Sequence, residues 1–272
     1  MAEFVRCEVT AGVAVLTLDN PPLNVVCRGL TQALDRALDA VEADASVRAV
    51  VVTGASDRAF CAGSDIAEFQ PLMTPGRIGP EKLALQHRVF GRLDDLAKPT
   101  VAALNGLAFG GGLEIAVCCD LIVADETARL ALPEIKLGVF PGSGGAVRVT
   151  RRVGEGRAKE LMFLGEPIDA ATALAWGLIN RVAPRGTALA AALALATTLA
   201  LRPPLALALC KRAIDLSFDL TEDAAIAAAL PLSERVFTSA ESREGVRAFL
   251  ARETPRFPDF RIPAGAPGAL KD

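Results

Sequence analysis

The chain has 272 residues, about half of them apolar, with 29 Lys and Arg against 32 Asp and Glu and a formal net charge of −3. A sizeable core is therefore available and disorder is not the default, while the absence of a basic run removes the electrostatic case for nucleic acid or an anionic membrane. The six cysteines (Cys7, Cys27, Cys61, Cys118, Cys119, Cys210) are scattered, so they fit neither a disulfide framework nor a zinc knuckle; the one histidine, His87, lacks the companions of a triad or metal site.

The opening MAEFVRCEV has no apolar run of the kind a signal peptide needs, which points to a cytoplasmic protein. Phe4–Val9 and Val13–Leu18 alternate around Ala11-Gly12 and predict a β-hairpin, broken off at Asp19-Asn20-Pro21-Pro22. Leu30, Ala33, Leu34, Ala37, Leu38 and Val41 recur at helical spacing, with charges on the opposite face. Val47–Thr53 reads as a buried strand closed by Gly54. In the loop that follows, Gly63 permits a tight bend and Asp65 can cap a short helix, leaving the Ser64 N–H free to donate to a ligand. A plain strand-to-helix connection explains the same loop. Pro71–Pro80 is irregular, and a helix is predicted from about Glu81 to Leu96, ended by Lys98-Pro99.

Next comes the stretch most suggestive of chemistry. A strand, Thr100–Leu104, meets an Asn105-Gly106 turn; Gly110-Gly111-Gly112 then lead into a helical run, Leu113 to Cys119, with Glu114 in its first turn. Glycines let the backbone approach a ligand, and the helix start presents free N–H groups and the positive end of its dipole. A second acid, Glu134, follows in LPEIKLG, before another glycine cluster, Pro141-Gly142-Ser143-Gly144-Gly145. Each acid alone has an ordinary structural reading as a favoured residue at a helix start. Together, in so apolar a stretch, they suggest a site of backbone donors and carboxylates. The glycines fail the G-x-G-x-x-G spacing of a dinucleotide-binding turn.

Helices are predicted from Gly145 to about Val153, from Arg157 to Leu164, and from a cap at Asp169 through Trp176, with Gly177 as the stop and Leu178–Val182 as a strand. Beyond Pro184 only helical patterns remain: Ala188–Leu201, Pro204–Ser217, Glu222–Phe237 and Glu241–Arg252. The apolar run Leu189–Leu201 is short for a membrane span and reads as a core helix. The domain division is residues 1–200 as an α/β core, 201–260 as a helical subdomain and 261–272 as a disordered tail.

The segments DNPPLNVV, RAFCAGSDIAEF, NGLAFGGGLEIAVCCDLIVA, LPEIKLGVFPGSGG, GLINRV and EGVRAFLARETPRF, in that order, resemble those of the crotonase superfamily, the enoyl-CoA hydratases and isomerases. The resemblance implies an α/β fold: a spiral of ββα repeats, followed by C-terminal helices that assemble homotrimers, commonly paired into hexamers. It also implies an acyl-CoA substrate, with coenzyme A as part of that substrate and no separate cofactor or metal. The implied oxyanion hole is the backbone N–H of Ser64 and of Gly111, and the implied catalytic acids are Glu114 and Glu134. By the same resemblance the substrate is held by Arg28, Arg58, Ala62, Asp65, Ile66, Gly110, Pro141 and Gly142, with Phe249 and Arg252 of the last helix reaching the nucleotide.

Those residues suit hydration of an enoyl-CoA thioester, in keeping with fatty acid metabolism: the two amides stabilise the enolate oxygen, Glu114 activates water and Glu134 supplies a proton to the α-carbon. Double-bond isomerases of the family commonly need one carboxylate, matching Glu134, so Glu114 favours the hydratase. The alternatives are an isomerase, another crotonase-type lyase or hydrolase, and, in a different class, a non-catalytic scaffold or RNA-binding relative. The chain departs from frequent family patterns at Ala67, where a lysine near the CoA phosphates is common, and at Leu132 and Ala146-Val147.

Overall fold

A computed structural model of the chain describes residues 4–261. The N-terminal hairpin pairs β1 (Val5–Thr10) with β2 (Val13–Leu18), and Ala11 and Gly12 supply the two left-handed residues that a tight hairpin turn requires. Helix α1 (Arg28–Ala43) buries Leu30, Leu34, Leu38 and Val41 along the stripe read from the sequence. Each such side chain contributes about 2 kcal/mol of apolar burial. Its cap was not read from the sequence: the Cys27 Sγ accepts from the Leu30 N–H.

A three-part unit now repeats. Strand β3 (Ala49–Gly54) joins the main sheet, β4 (Ala59–Cys61) turns away from it, and helical segments follow, ending in α2 (Ala84–Asp94). The second unit is β5 (Thr100–Leu104), β6 (Leu107–Phe109) and α3 (Gly111–Ala116). The third is β7 (Leu121–Asp125), β8 (Arg129–Ala131) and a 3₁₀ turn, Pro133–Leu137. First strands stack in a six-stranded sheet, β1-β2-β3-β5-β7-β10, and second strands in a four-stranded sheet, β4-β6-β8-β9. This is the spiral of ββα turns that the resemblance implied. Asn105 clamps one corner: its side-chain amide donates to the carbonyls of Gly54 and Ser56, and its oxygen accepts from the Gly54 N–H.

The remaining elements are α4 (Gly145–Val153), α5 (Glu155–Leu164), β9 (Ile168–Asp169), α6 (Ala170–Trp176), β10 (Arg181–Ala183), α7 (Ala188–Ala200), α8 (Pro204–Asp219), α9 (Glu222–Phe237) and α10 (Ala240–Ala251). Asp169 caps α6 through the Thr172 N–H, as expected, and Gly177 ends it in the left-handed region. Helix α7 lays Ala188, Ala192, Ala196 and Ala200 on the sheet; small side chains four apart let it sit close to β3, β5 and β7. That contact places α7 with the core and starts the purely helical part at α8. No single helix among the described residues is long and apolar enough to cross a membrane.

Several expectations shift. The helix expected from Glu81 begins as a π-type turn, Gly79–Leu83, and becomes α-helical only at Ala84. The run expected to be helical to Cys119 ends at Ala116, and the strand expected at 178–182 forms at Arg181–Ala183, where it pairs with β7. Strands β4, β6, β8 and β9, two or three residues each, are too short to show a period. The expected tail lies, from residue 262, outside the described residues.

Candidate active site

The small sheet builds the site. Strands β4, β6 and β8 run parallel and adjacent, so their C-terminal ends lie side by side. The residues that leave those ends are Ala62-Gly63-Ser64, Gly110-Gly111 and Leu132-Pro133-Glu134. Positions far apart in sequence thus meet because each closes the second strand of a repeat.

The first end is held by the segment before α1. The Val26 N–H donates to the Gly63 carbonyl at 2.7 Å, the Asp65 N–H to the Val26 carbonyl at 2.9 Å, and the Ala62 N–H to the Leu23 carbonyl at 3.0 Å. Buried Asn24 adds a side-chain bond to the Ala59 carbonyl at 2.9 Å. Between these bonds the Ser64 N–H has no acceptor among the described residues. Asp65 caps the next turn through the Ala67 N–H, as expected.

At the second end, the Gly110 N–H is taken by the Ala131 carbonyl at 2.9 Å, and Gly110 has a φ of 47°, which an L side chain adopts at a cost. Gly111 opens α3, so its N–H is free of the helix ladder. It faces Ser64: a Cβ at 111 would lie 3.7 Å from the Ser64 nitrogen and 3.3 Å from its Oγ. Two free amides from neighbouring strand ends therefore stand together.

The two acids flank them in contrasting environments. Glu114, one turn into α3, is only 3% exposed, and its Oε1 accepts from the Ser143 N–H at 2.7 Å and the Gly145 N–H at 2.9 Å. Burial pushes its carboxyl above the ordinary value, and those two amides oppose the shift. The second glycine cluster is thus the cradle of Glu114, a role the sequence reading did not give it. Behind it the Ser143 hydroxyl donates to Gln86 Oε1 at 2.7 Å, so α2 supports the cradle too. Glu134 reaches over Gly110, where a Cβ would lie 2.9 Å from its Oε1. Its Oε2 is buried without a hydrogen-bond partner, and burial, with a smaller push from Glu114, raises its carboxyl to about 7.

Placement of the expected substrate-binding residues is mixed. Pro141 and Gly142 sit in the Glu114 cradle, Ile66 is exposed, and Arg28 and Arg58 are exposed, with no ion pair among the described residues. The amides of Ala62 and Gly110 are consumed by the fold, and the Gly110 carbonyl accepts from the Glu114 N–H at 2.9 Å as the first bond of α3. Phe249 and Arg252 are not brought to the site within one chain. Arg48, at the end of β3 remote from β4, donates to the carbonyls of Ala200, Arg202, Phe257 and Phe260 and ties the C-terminal segment there. Helix α10 packs on α9 and the 257–259 turn, leaving Phe249 82% exposed. His87 is exposed on α2 and donates to nothing in the site.

Many known proteins share this fold. The family profile described as enoyl-CoA hydratase/isomerase matches residues 8–260. The chain is 36% identical over 242 residues to the short-chain-enoyl-CoA hydratase of Clostridium acetobutylicum, covering 88% of this chain and 92% of that one. It is 37% identical to a probable enoyl-CoA hydratase of Rhizobium meliloti, covering 94% and 98%. Among solved structures, an enoyl-CoA hydratase from Bacillus anthracis superposes with a TM-score of 0.88 at 30% identity, covering 94% of this chain and all of that one. The chain belongs to the enoyl-CoA hydratase/isomerase family.

Proposed function

We propose that the protein is an enoyl-CoA hydratase, adding water across the 2,3 double bond of an enoyl-CoA thioester. The observation that carries this reading is the pair of unequal carboxylates beside two free amides. The thioester oxygen sits between the Ser64 and Gly111 N–H groups, which stabilise it most as the enolate forms, by about 3 kcal/mol each. Burial raises the Glu114 carboxyl as well, but two amide bonds at its Oε1 oppose that rise and favour its anion, a support Glu134 Oε2 lacks. Glu134 has no donor at Oε2 and is raised to about 7, which favours its protonated form. The carboxylate of Glu114 takes a proton from water as the oxygen bonds to the β-carbon. Glu134 gives its proton to the α-carbon as the enolate collapses, and the product is a 3-hydroxyacyl-CoA. Coenzyme A enters with the substrate, so the reaction takes no separate cofactor; Arg28 and Arg58, both exposed, are candidates to meet its phosphates.

Loss of the enone absorbance of crotonyl-CoA on adding protein tests the reading. Binding of CoA with no absorbance change would overturn it in favour of isomerase, hydrolase or scaffold. The pH profile carries the sign: kcat/KM should fall above about pH 7, as Glu134 loses the proton it must donate.

The reading extends to assembly as a homotrimer. Phe218, Ile226, Leu230, Phe237, Val246 and Leu250 are exposed on α8, α9 and α10, more apolar surface than a lone soluble chain ordinarily presents in one region. A neighbouring copy seated there would also bring Phe249 and Arg252 near a site they do not reach in their own chain. Sedimentation equilibrium should give three times the chain mass, or six times if trimers pair; a monomer at micromolar concentration would refute it.

A further inference from the structure

The loop that holds Glu114 is itself held from behind. Its two donors, the Ser143 and Gly145 amides, both fall on Glu114 Oε1, which leaves Oε2 for the reacting water. Gly142, Gly144 and Gly145 surround Ser143, so the chain here has little stiffness of its own. Left alone, it would not keep two N–H groups aimed at one oxygen.

Two side chains supply the missing stiffness, and both are tied to α2. Near the start of that helix, buried Gln86 accepts from the Ser143 hydroxyl at 2.7 Å. At its last residue, Asp94 Oδ2 lies 2.9 Å from Arg148 Nε, and the Arg148 guanidinium lies against Gly144, where any Cβ would run into it. Gly144 also has a φ of 102°, so glycine is required there on both counts. Ser143 is thus fixed from α2 directly, and Gly144 through the first turn of α4. Glu114 takes its hydrogen bonds from the loop and not from either of these side chains.

Resting on the hydratase reading above, we infer that Gln86 and Arg148 are positioning residues: they lock the 143–145 loop so that its amides keep Glu114 ionised, with one oxygen held and the other free to take the proton of water. Donors fixed in advance need no reorientation at the moment of reaction, and a carboxylate this deeply buried depends on them to stay charged. The ionisable groups facing Glu114 are His87 of α2 and Arg148 of α4, which favour its anion, and Glu134 of the 3₁₀ turn and Cys118 just past α3, which oppose it when charged. Loss of the lock therefore moves Glu114 toward its protonated form, in which it cannot act as a base.

The test follows kcat and KM for crotonyl-CoA against pH in Gln86→Met, Arg148→Met and Ser143→Ala, the last removing one hydroxyl and so keeping the test readable if a larger change impairs folding. In each, kcat should fall by about tenfold with KM within about twofold, and the acidic limb of kcat/KM, set by Glu114, should move up by about one pH unit. The alkaline limb, set by Glu134, should stay in place. Gln86→Met/Ser143→Ala should be no worse than either single variant, since the two side chains share one bond. A packing role alone would lower the melting temperature and leave the acidic limb unmoved, and that outcome would overturn the inference. Infrared titration of protein carrying isotope-labelled glutamate, with Glu114 identified by the band lost in Glu114→Gln, reads the same shift without turnover. A parent inert toward crotonyl-CoA would sink the hydratase reading alone; a Glu114 band that titrates identically in parent and variants would sink the positioning role alone.

Discussion

Glu114→Gln and Glu134→Gln should each lower hydratase kcat by about 10²–10⁴-fold, with KM changed little, because each removes a proton transfer made in the transition state. Amide for carboxylate keeps the shape, so loss of activity reports chemistry rather than packing. At Glu114 the side-chain oxygen of Gln can still accept from the Ser143 and Gly145 amides, and the variant should melt like the parent. Near-normal turnover in either variant would end the two-acid mechanism.

Glu134→Gln carries a second signature. A carboxyl raised from 4.5 to about 7 in the folded protein holds its proton there more tightly than in the unfolded chain. Its neutral form supports the fold fully below pH 4.5, and that support is lost as pH rises through about 7. Above this window the parent carries a buried, unpartnered anion, which Gln does not. The variant should therefore equal the parent near pH 4 and exceed it near pH 8, by about 2 kcal/mol after allowing for the group's partial exposure. The functional acid thus costs stability at the pH where it titrates. Denaturant melts at the two pH values read this directly, and equal stability at pH 8 would show that Glu134 is not strained in the free enzyme.

The second large effect is on the fold. Gly112→Ala would place a Cβ 2.1 Å from the Cys61 carbonyl oxygen and 2.8 Å from its Cβ. Both belong to β4, whose backbone is fixed in the small sheet, so α3 must move instead. The cost is about 3 kcal/mol, a fall of roughly 5–10 °C in melting temperature. Turnover should fall with it, since the Gly111 amide moves with the helix. Gly111→Ala is the control for stability: its nearest neighbour is the Ser64 hydroxyl at 3.3 Å, which can rotate. A Gly112→Ala protein that melts with the parent would mean that α3 is less tightly docked on β4 than the contact implies.

Local pattern was enough for much of the molecule. The stripe of α1, the Asp169 cap with its Gly177 stop, and the helical character beyond Pro184 all follow from side-chain periodicity and capping chemistry that act within a few residues. Both acids and both glycine clusters were visible as residues out of keeping with an apolar stretch.

Their convergence was not readable in that way. Ser64, Gly111 and Glu134 meet because three strands of only three residues lie parallel in a second sheet, and segments so short carry no period. The Pro141–Gly145 cluster became a cradle for Glu114 through backbone amides, which sequence does not distinguish from any other amides. Gln86 and Ser143 stand 57 positions apart, and only folding brings them together. Residue types and local elements were thus set by the sequence acting at short range. The inequality of the two carboxylates, on which the proposed chemistry turns, was decided by burial and by amide donors supplied from distant parts of the chain.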